Sequence, residues 1–191
     1  MTTPDYTLVA KELQAKIKGD VTINDEDRER VARDTSLFYV KPEIVVYPKN
    51  SIDVSKVCEY VSEKKLAGFD MAVSVRSAGT CMTGGSLSYS IVMDTTKHMN
   101  KVTEVTPVSA SAEPGVYYRD FEKQTLAEGW LMPSYPASRE LAAIGGIVSN
   151  NSGGEKTLTY GKTENYVQSL DVVYANGARD MLHGFSGVDL E

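Results

Sequence analysis

The chain has 191 residues, of which 41% are hydrophobic and 24% charged, an ordinary balance for one large globular domain or two lobes sharing a core. Its formal net charge of -6 and its lack of a basic stripe argue against a nucleic-acid partner or an anionic membrane surface. No apolar run approaches the roughly 20 residues that span a bilayer, and residues 1–5 lack the pattern of a signal peptide. We therefore expect a cytoplasmic protein without a transmembrane segment.

The first half of the chain alternates between strand-like and helix-like segments. Apolar spacing and turn residues predict a helix at 5–18, a short charged helix or turn at 28–33 and a strand at 43–47. They then predict a helix that Ser51 caps, with Val54, Val57, Cys58 and Val61 on its apolar side, and two further strands at 71–75 and 91–94. A strand, a helix and a strand in succession form a βαβ unit, which implies parallel pairing and a right-handed crossover. Ligands of open α/β sheets tend to bind at the carboxyl ends of such strands.

The second half of the chain changes character. Its sequence predicts two short strands, at 101–106 and 108–113, hinged at a proline, and then a helix at 117–128. A proline-braced irregular segment at 130–138 and a tract of small residues at 142–154 follow. The last predicted element is a hairpin of residues 169–175 and 179–182. Asn176-Gly177 at the hairpin turn is a type I′ signal. The sequence shows no internal repeat and no low-complexity linker.

Residues 75–86 form a loop of small and hydroxylated residues that follows the strand at 71–75. An ordinary turn needs one or two glycines, whereas a loop whose backbone N–H groups converge on an anion needs several small residues in succession. The pattern favours a diphosphate-binding loop, with a plain glycine-rich connection between strands as the alternative. The loop lacks the Gly-Lys-Ser/Thr of a nucleoside-triphosphate loop, and the chain lacks the G-x-G-x-x-G dinucleotide fingerprint.

A second tract of small residues, at 142–154, lies about 65 residues after the first. Gly145 and Gly146 would allow the backbone to approach a flat ring, and Asn150 offers both hydrogen-bond donors and acceptors. Two such tracts that close on one object indicate an elongated ligand held along its length.

The sequence predicts no metal site and no disulfide framework. It has two cysteines, Cys58 and Cys81, and two histidines, His98 and His183, whose spacing matches no zinc motif.

The order of these motifs resembles a known family. It consists of Arg76 to Thr80 with Gly84-Gly85, then Glu113 to Val116, Pro133 to Ser138, Ile144 to Gly154, Tyr160-Gly161, and Asp171 to Val173 with Asn176-Gly177. Over roughly residues 34–183 the chain resembles the FAD-binding domain of the vanillyl-alcohol-oxidase type, also called the PCMH type. It is most similar to the branch of D-lactate dehydrogenases, the glycolate oxidase flavin subunit and D-2-hydroxyglutarate dehydrogenase.

The resemblance implies an α+β fold with two α/β lobes, the second of them incomplete. It divides the chain into an N-terminal helical extension at residues 1–36, a first FAD-binding lobe at 37–106 that contains the diphosphate loop, and a second lobe at 107–191. Relatives continue into a cap domain that carries the catalytic residues and the substrate-binding arginine. We therefore expect the cap to be absent here, the catalytic residues to lie beyond residue 191, and the chain alone to be inactive.

The resemblance also assigns the cofactor, FAD, and its contacts. The diphosphate would be held by the backbone around Ser77, Ala78, Gly79, Thr80, Cys81, Gly84 and Gly85. Arg76 would either assist binding or brace the loop through a salt bridge. Along the cofactor and its flavin ring would lie Pro136, Ser138, Ala143, Gly145, Gly146 and Asn150, with Val173 at the adenine end.

The family commonly has glycine at the position of Ser77 and an apolar or small residue at those of Cys81 and Met82. No histidine lies in the loop or near Gly115, so we expect non-covalent FAD.

The implied parent is a flavoprotein that oxidises a 2-hydroxy acid such as D-lactate or glycolate. It would pass electrons to a quinone, cytochrome or iron–sulfur partner, and attachment to the inner membrane as a peripheral protein fits such an acceptor. Two alternatives stay open. One is a non-catalytic module that binds a nucleotide or a partner chain, and the other is the FAD lobe of a UDP-sugar reductase.

Overall fold

The computed structural model describes residues 2–184, so the chain end beyond residue 184 lies outside the described residues. We use the term first lobe below for residues 6–94, which contain three helices and four strands. These elements are α1 (Tyr6–Lys16), β1 (Asp20–Thr22), α2 (Asp25–Val31), β2 (Ile44–Tyr47), α3 (Ser51–Leu66), β3 (Val73–Arg76) and β4 (Ile91–Asp94). Among residues 2–184, no helix has both the length and the apolar character needed to cross a membrane.

The four strands form one sheet in the order β1-β2-β4-β3. Strands β2, β4 and β3 are parallel, as predicted, but β4 lies between the two strands that α3 connects. Every residue of β2 and β4 is buried, which is typical of parallel strands covered on both faces. Because β3 is the edge strand and Arg76 ends it beside Asp94, the loop at 77–86 begins at the carboxyl edge of the sheet.

The core of this lobe lies between the sheet and helices α1 and α3. Leu13 of α1 and Val57 of α3 pack with Ile44 and Met93 of the sheet in one buried cluster. Val31 of α2 packs on the other side of the sheet. Both faces of the parallel strands are therefore covered by helices.

The start of α3 differs from the prediction by one residue. The Asn50 side chain accepts hydrogen bonds from the backbone N–H groups of Ile52 and Asp53, so Asn50 is the N-cap and Ser51 is the first helical residue. An asparagine side-chain oxygen reaches these otherwise unpaired N–H groups as well as serine does. The predicted helix itself is confirmed.

The second lobe contains β5 (Val102–Val105), β6 (Ala110–Ala112), α4 (Tyr118–Ala127), α5 (Ile144–Ser149), α6 (Thr157–Tyr160), a 3₁₀ helix (Thr163–Tyr166), β7 (Ser169–Val173) and β8 (Arg179–His183). Its core is aromatic and is built by Tyr118, Phe121, Tyr135 and Ile147. The Tyr118 hydroxyl donates to the Met132 carbonyl at 2.7 Å, which satisfies the polar end of a fully buried ring.

The hairpin of β7 and β8 is confirmed, but its type I′ turn is not. The Gly177 N–H donates to the Tyr174 carbonyl, and Gly177 alone of the turn residues has positive φ, at 84°. A type I′ turn would need positive φ at Asn176 as well. The turn docks on α3, where the Ser55 hydroxyl donates to the Gly177 carbonyl.

Candidate functional site

The loop at residues 77–86, which we call the diphosphate loop, has no regular secondary structure. Within residues 2–184, the backbone N–H groups of five consecutive residues, 78–82, donate no hydrogen bond. Backbone N–H groups seldom stay without an acceptor when they are shielded from water. Five adjacent donors on a chain of small residues form a donor set that suits phosphate oxygens.

Arg76, at the start of the loop, is buried and points back into the protein. Its Nη1 donates to the Arg33 carbonyl at 2.8 Å and lies 3.5 Å from Ser86 Oγ. The guanidinium fills the space beside Gly79, where a Cβ atom would collide with it. Burial lowers the pKa of Arg76. Among the described residues, Arg76 braces the loop through these hydrogen bonds and forms no salt bridge.

The second tract contains a short helix, α5, which the sequence did not predict. The Gly145 N–H donates to the Pro114 carbonyl at 2.8 Å, and the Ser77 hydroxyl donates to the same carbonyl oxygen at 3.1 Å. A Cβ atom on Gly145 would lie 2.7 Å from Pro114 Cβ and 3.0 Å from Ser77 Oγ. The start of the diphosphate loop and the start of α5 are thus joined through Pro114.

A cavity of about 510 Å³ lies between the two tracts. It is lined by Thr35, Thr80, Cys81, Met82, Thr83, Pro136, Ala137, Ser138, Leu141, Ala142, Gly146, Ile147, Asn150 and Ser152. Apolar side chains such as Leu141 and Ile147 stand beside polar ones such as Ser138 and Asn150. This volume and this mixture are typical of small-molecule and cofactor pockets.

The predicted site residues divide into three groups. The cavity lining includes Thr80, Cys81, Pro136, Ser138, Gly146 and Asn150. Adjacent to it in the chain, but outside the lining, are Arg76, Ser77, Ala78, Gly79, Gly84, Gly85, Ala143 and Gly145. Val173 lies apart from the cavity, in β7, where it packs against the core of the first lobe.

Eight lining residues were not predicted as site residues: Thr35, Met82, Thr83, Ala137, Leu141, Ala142, Ile147 and Ser152. Ser152 stands within the predicted tract and follows from its position there. Thr35 lies about 45 residues before the loop residue it contacts, since its hydroxyl donates to the Cys81 carbonyl at 2.9 Å. Only the run of short polar residues at 34–36, which suits a turn, marks this segment in the sequence.

The two cysteines have opposite environments. Cys81 Sγ lies 3.1 Å from Thr83 Oγ1, and hydrogen bonds from the Thr83 hydroxyl and from the backbone of Thr83 and Gly85 lower the pKa of this thiol. Burial raises the pKa of Cys58, which lies in the core of the first lobe. Both thiols are free. The cavity therefore has, on its loop side, a partly exposed thiol whose pKa is lowered.

The residues around the cavity fit an FAD molecule chemically. Unpaired N–H groups at 78–82 suit two phosphates, and the donors and acceptors of Ser138 and Asn150 suit the polar edge of a ring system. Gly146 leaves open space, since nothing lies within 4 Å of the position of a Cβ atom there.

Comparisons with known proteins agree with this chemistry. A family described as FAD binding domain matches residues 42–179. Glycolate oxidase subunit GlcD of Bacillus subtilis (strain 168) is 30% identical over 173 residues, which cover 87% of this chain and 36% of the relative. D-lactate dehydrogenase of Archaeoglobus fulgidus is 32% identical over 136 residues, which cover 70% of this chain and 29% of the relative. The chain thus spans about a third of the length of these relatives.

A solved structure supports the fold. The structure of 6-hydroxy-D-nicotine oxidase from Arthrobacter nicotinovorans superposes with a TM-score of 0.75 at 22% identity and covers 87% of this chain and 36% of that one. This match confirms the expected α/β fold of the PCMH type. The family match extends over most of the chain, from β2 to β8. The chain therefore belongs to the FAD-binding domain family of the FAD-linked oxidases, whose members include 2-hydroxy-acid dehydrogenases.

Proposed function

We propose that the chain binds FAD non-covalently in the cavity between the diphosphate loop and α5. The observation that carries this proposal is the meeting of the two small-residue tracts at one cavity, with unpaired N–H groups on the loop side. In this arrangement the loop backbone, with Gly84 and Gly85, holds the two phosphates. Pro136 and Ser138 lie along the cofactor, and Ala143, Gly145, Gly146 and Asn150 line the flavin side. The backbone of Val173, which lies apart from the cavity, contacts the adenine end.

The residues of the chain hold and orient the cofactor in this proposal. When bound, FAD supplies the capacity to accept a hydride from a carbon substrate. The loop N–H groups offset the phosphate charge, while the buried Arg76 keeps the loop in shape without contacting the phosphates. Leu141 and Ile147 give the pocket apolar surface that excludes water from one face of the ligand.

We further propose that the longer protein containing this domain is an oxidoreductase acting on a small 2-hydroxy acid. The support is the pair of relatives named above, since glycolate and D-lactate are both 2-hydroxy acids. The cap and the catalytic groups would be supplied outside the residues described here. A quinone, a cytochrome or an iron–sulfur protein would take the electrons.

The first experiment measures FAD binding by the 191-residue chain. Purified protein is incubated with FAD and desalted, and bound flavin is measured by its visible absorbance. We expect stoichiometric retention or, for weaker binding, saturable quenching of flavin fluorescence. Protein that neither retains flavin nor quenches it would contradict the proposal.

A pair of variants in α5 localises the binding. Gly146→Val fills open space in the cavity and should abolish binding without unfolding the protein. Ser149→Val places the same side chain on an exposed position of α5 outside the cavity lining, and should bind FAD as the wild type does. Equal affinity of the two variants would place the FAD site elsewhere.

A second experiment addresses the substrate. The full-length protein would be assayed with D-lactate, glycolate and D-2-hydroxyglutarate, using an artificial dye as electron acceptor, with L-lactate as the stereochemical control. We expect reduction of the dye with at least one of the first three acids. A flavin-loaded protein that reduces dye with none of them would contradict the 2-hydroxy-acid assignment and leave the FAD-binding assignment standing.

A further inference from the structure

The segment between α2 and β2 crosses over the diphosphate loop. We call residues 33–38 the strap. Its first two residues contact the two ends of the loop: the Arg33 carbonyl accepts from Arg76 Nη1 at 2.8 Å, and Asp34 Oδ2 accepts from the Ser86 hydroxyl at 3.2 Å. Arg76 and Ser86 are both buried. These contacts fix the points at which the loop begins and ends.

Two further strap residues contact the middle of the loop. The Thr35 hydroxyl donates to the Cys81 carbonyl at 2.9 Å. The Phe38 ring covers Gly84, where a Cβ atom would lie 2.9 Å from Cδ2. Both ends and the middle of the loop are therefore held by one short segment that is distant in sequence.

The strap is itself a closed turn, so it can act as a rigid support. The Val40 N–H donates to the Ala32 carbonyl at 2.9 Å and closes its base. Within it, Asp34 Oδ1 accepts from the Ser36 N–H at 2.8 Å. Burial opposes ionisation of Asp34, but hydrogen bonds from Ser36 and Ser86 outweigh it and lower the pKa of this carboxyl. Asp34 is therefore a charged acceptor, which strengthens its hydrogen bonds.

The loop needs such a support because it has little structure of its own. Its N–H groups at 78–82 form no hydrogen bond within residues 2–184, and the Leu87 N–H donating to the Gly84 carbonyl is its one backbone closure there. Glycine-rich chain loses much conformational entropy when it is ordered. A loop that is ordered before its ligand arrives binds more tightly than one that must be ordered on binding.

We propose that the strap pre-organises the diphosphate loop for the cofactor and that Thr35 is a positioning residue. The Thr35 hydroxyl fixes the direction of the Cys81 carbonyl. Because the peptide group is planar and trans, it thereby fixes the opposite direction of the Met82 N–H, one of the five unpaired donors. This inference rests on the proposed function, since it assigns the strap a role in binding the diphosphate.

The test uses Thr35→Val, which keeps the shape of the side chain and removes the hydroxyl. The dissociation constants for FAD and ADP should rise about three- to tenfold, the usual effect of one hydrogen bond. Binding of riboflavin, which has no diphosphate, should not change. Thr35→Ser retains a hydroxyl and should restore most of the affinity. Thr103→Val removes a similar exposed hydroxyl, bonded to the Ser111 carbonyl in the β5–β6 hairpin, and should have no effect.

A second variant separates positioning from direct contact with the ligand. Ser86 is buried and outside the cavity lining, so Ser86→Ala can weaken FAD binding only through the loop. Hydrogen–deuterium exchange on the ligand-free protein provides a readout that needs no cofactor. Exchange of the Leu87 N–H, which closes the loop onto the Gly84 carbonyl, should be faster in Thr35→Val and Ser86→Ala than in the wild type and in Thr103→Val, with unchanged thermal unfolding of Thr35→Val.

The outcomes separate this inference from the proposed function. If the wild type binds FAD and the strap variants bind it equally well, the proposed role of the strap is wrong, while the FAD-binding proposal stands. A wild type that binds no FAD would overturn the proposed function and with it the role of the strap in cofactor binding. Unchanged exchange of the loop in both variants would overturn the pre-organisation itself.

Discussion

The two small-residue tracts that meet at the cavity have similar composition but different structure. The diphosphate loop has no regular structure and is held from outside by the strap and by Arg76. The tract at 142–154 forms helix α5, and the N–H groups of Ile147, Asn150, Asn151 and Ser152 donate to carbonyls within the tract. Glycine content therefore does not decide between coil and helix here. What decides is whether the backbone donors find acceptors, either within the tract or at Pro114 and Val116.

Helix α5 is possible because both of its ends are anchored. At its start, the Ile144 N–H donates to the Val116 carbonyl and the Gly145 N–H donates to the Pro114 carbonyl. At its end, Asn151 has a φ of 43°, the left-handed conformation that commonly terminates helices. The Asn151 side chain also accepts from the Glu164 N–H at 3.1 Å. Within residues 2–184, by contrast, the N–H groups at 78–82 of the diphosphate loop donate no hydrogen bond.

The largest effect is expected at the contact between the two tracts. In Gly145→Ala, the added Cβ atom would lie 2.7 Å from Pro114 Cβ, 2.8 Å from the Pro114 carbonyl oxygen and 3.0 Å from Ser77 Oγ. Two of these three atoms belong to the rigid Pro114. Overpacking of this kind costs about 1–3 kcal/mol, so urea denaturation should show a loss near the upper end of that range. FAD affinity should fall as well, because the two sides of the cavity separate. Unchanged stability would show that the tracts are not in tight contact.

A smaller loss is expected when a side chain is added within the diphosphate loop. Gly79 has a φ of 71° and lies against the Arg76 guanidinium, so Gly79→Ala combines backbone strain with displacement of the brace. We expect a loss of about 2 kcal/mol, of which left-handed strain accounts for roughly half. Gly129→Ala is the control, because its φ of 84° is similar and no atom lies within 4 Å of its Cβ position. Equal losses in the two variants would argue against the Arg76 brace.

The sequence predicted those elements whose signals are local. Helices α1 and α4 and the buried strands β2 and β4 were predicted to within a residue or two of their ends, and the start of α3 was predicted to within one residue. Strand β1 was missed because its position depends on Asp53, whose buried carboxylate accepts from the N–H groups of Lys18, Gly19 and Lys49. These partners are brought together only in the folded chain.

The same distinction applies to the site. Both tracts were recognisable from composition, and the structure brings both to one cavity. The strap was not recognisable, because Thr35 and Asp34 act on residues about 50 positions later in the chain. Helix α5 was not predicted, because the acceptors of its first two N–H groups lie far earlier in the chain, at Pro114 and Val116.

A gain in stability is expected for a substitution at Gly146, the residue that follows Gly145. Gly146 lies inside α5, and nothing would touch a Cβ atom there. Because alanine loses less backbone entropy than glycine in a helix, Gly146→Ala should stabilise the protein by about 0.5–1 kcal/mol. The methyl group would enter the cavity, so FAD affinity should fall while the unfolding midpoint rises. A fall in both would indicate that the helix is not formed in solution.

The smallest effect is a chemical one and reports on the environment of the diphosphate loop. The hydrogen bonds around Cys81 lower the pKa of its thiol, while burial raises the pKa of Cys58. At neutral pH, Cys81 should therefore carry the larger thiolate fraction and react faster with iodoacetamide. The midpoint of its pH–rate profile should lie below the ordinary cysteine value, and Thr83→Val should move that midpoint upward.

Adding FAD should slow alkylation of Cys81 and leave the alkylation rate of Cys58 unchanged, measured by mass spectrometry of the two peptides. Equal protection of both cysteines would indicate general stabilisation by FAD, whereas protection confined to Cys81 would place the ligand against the loop.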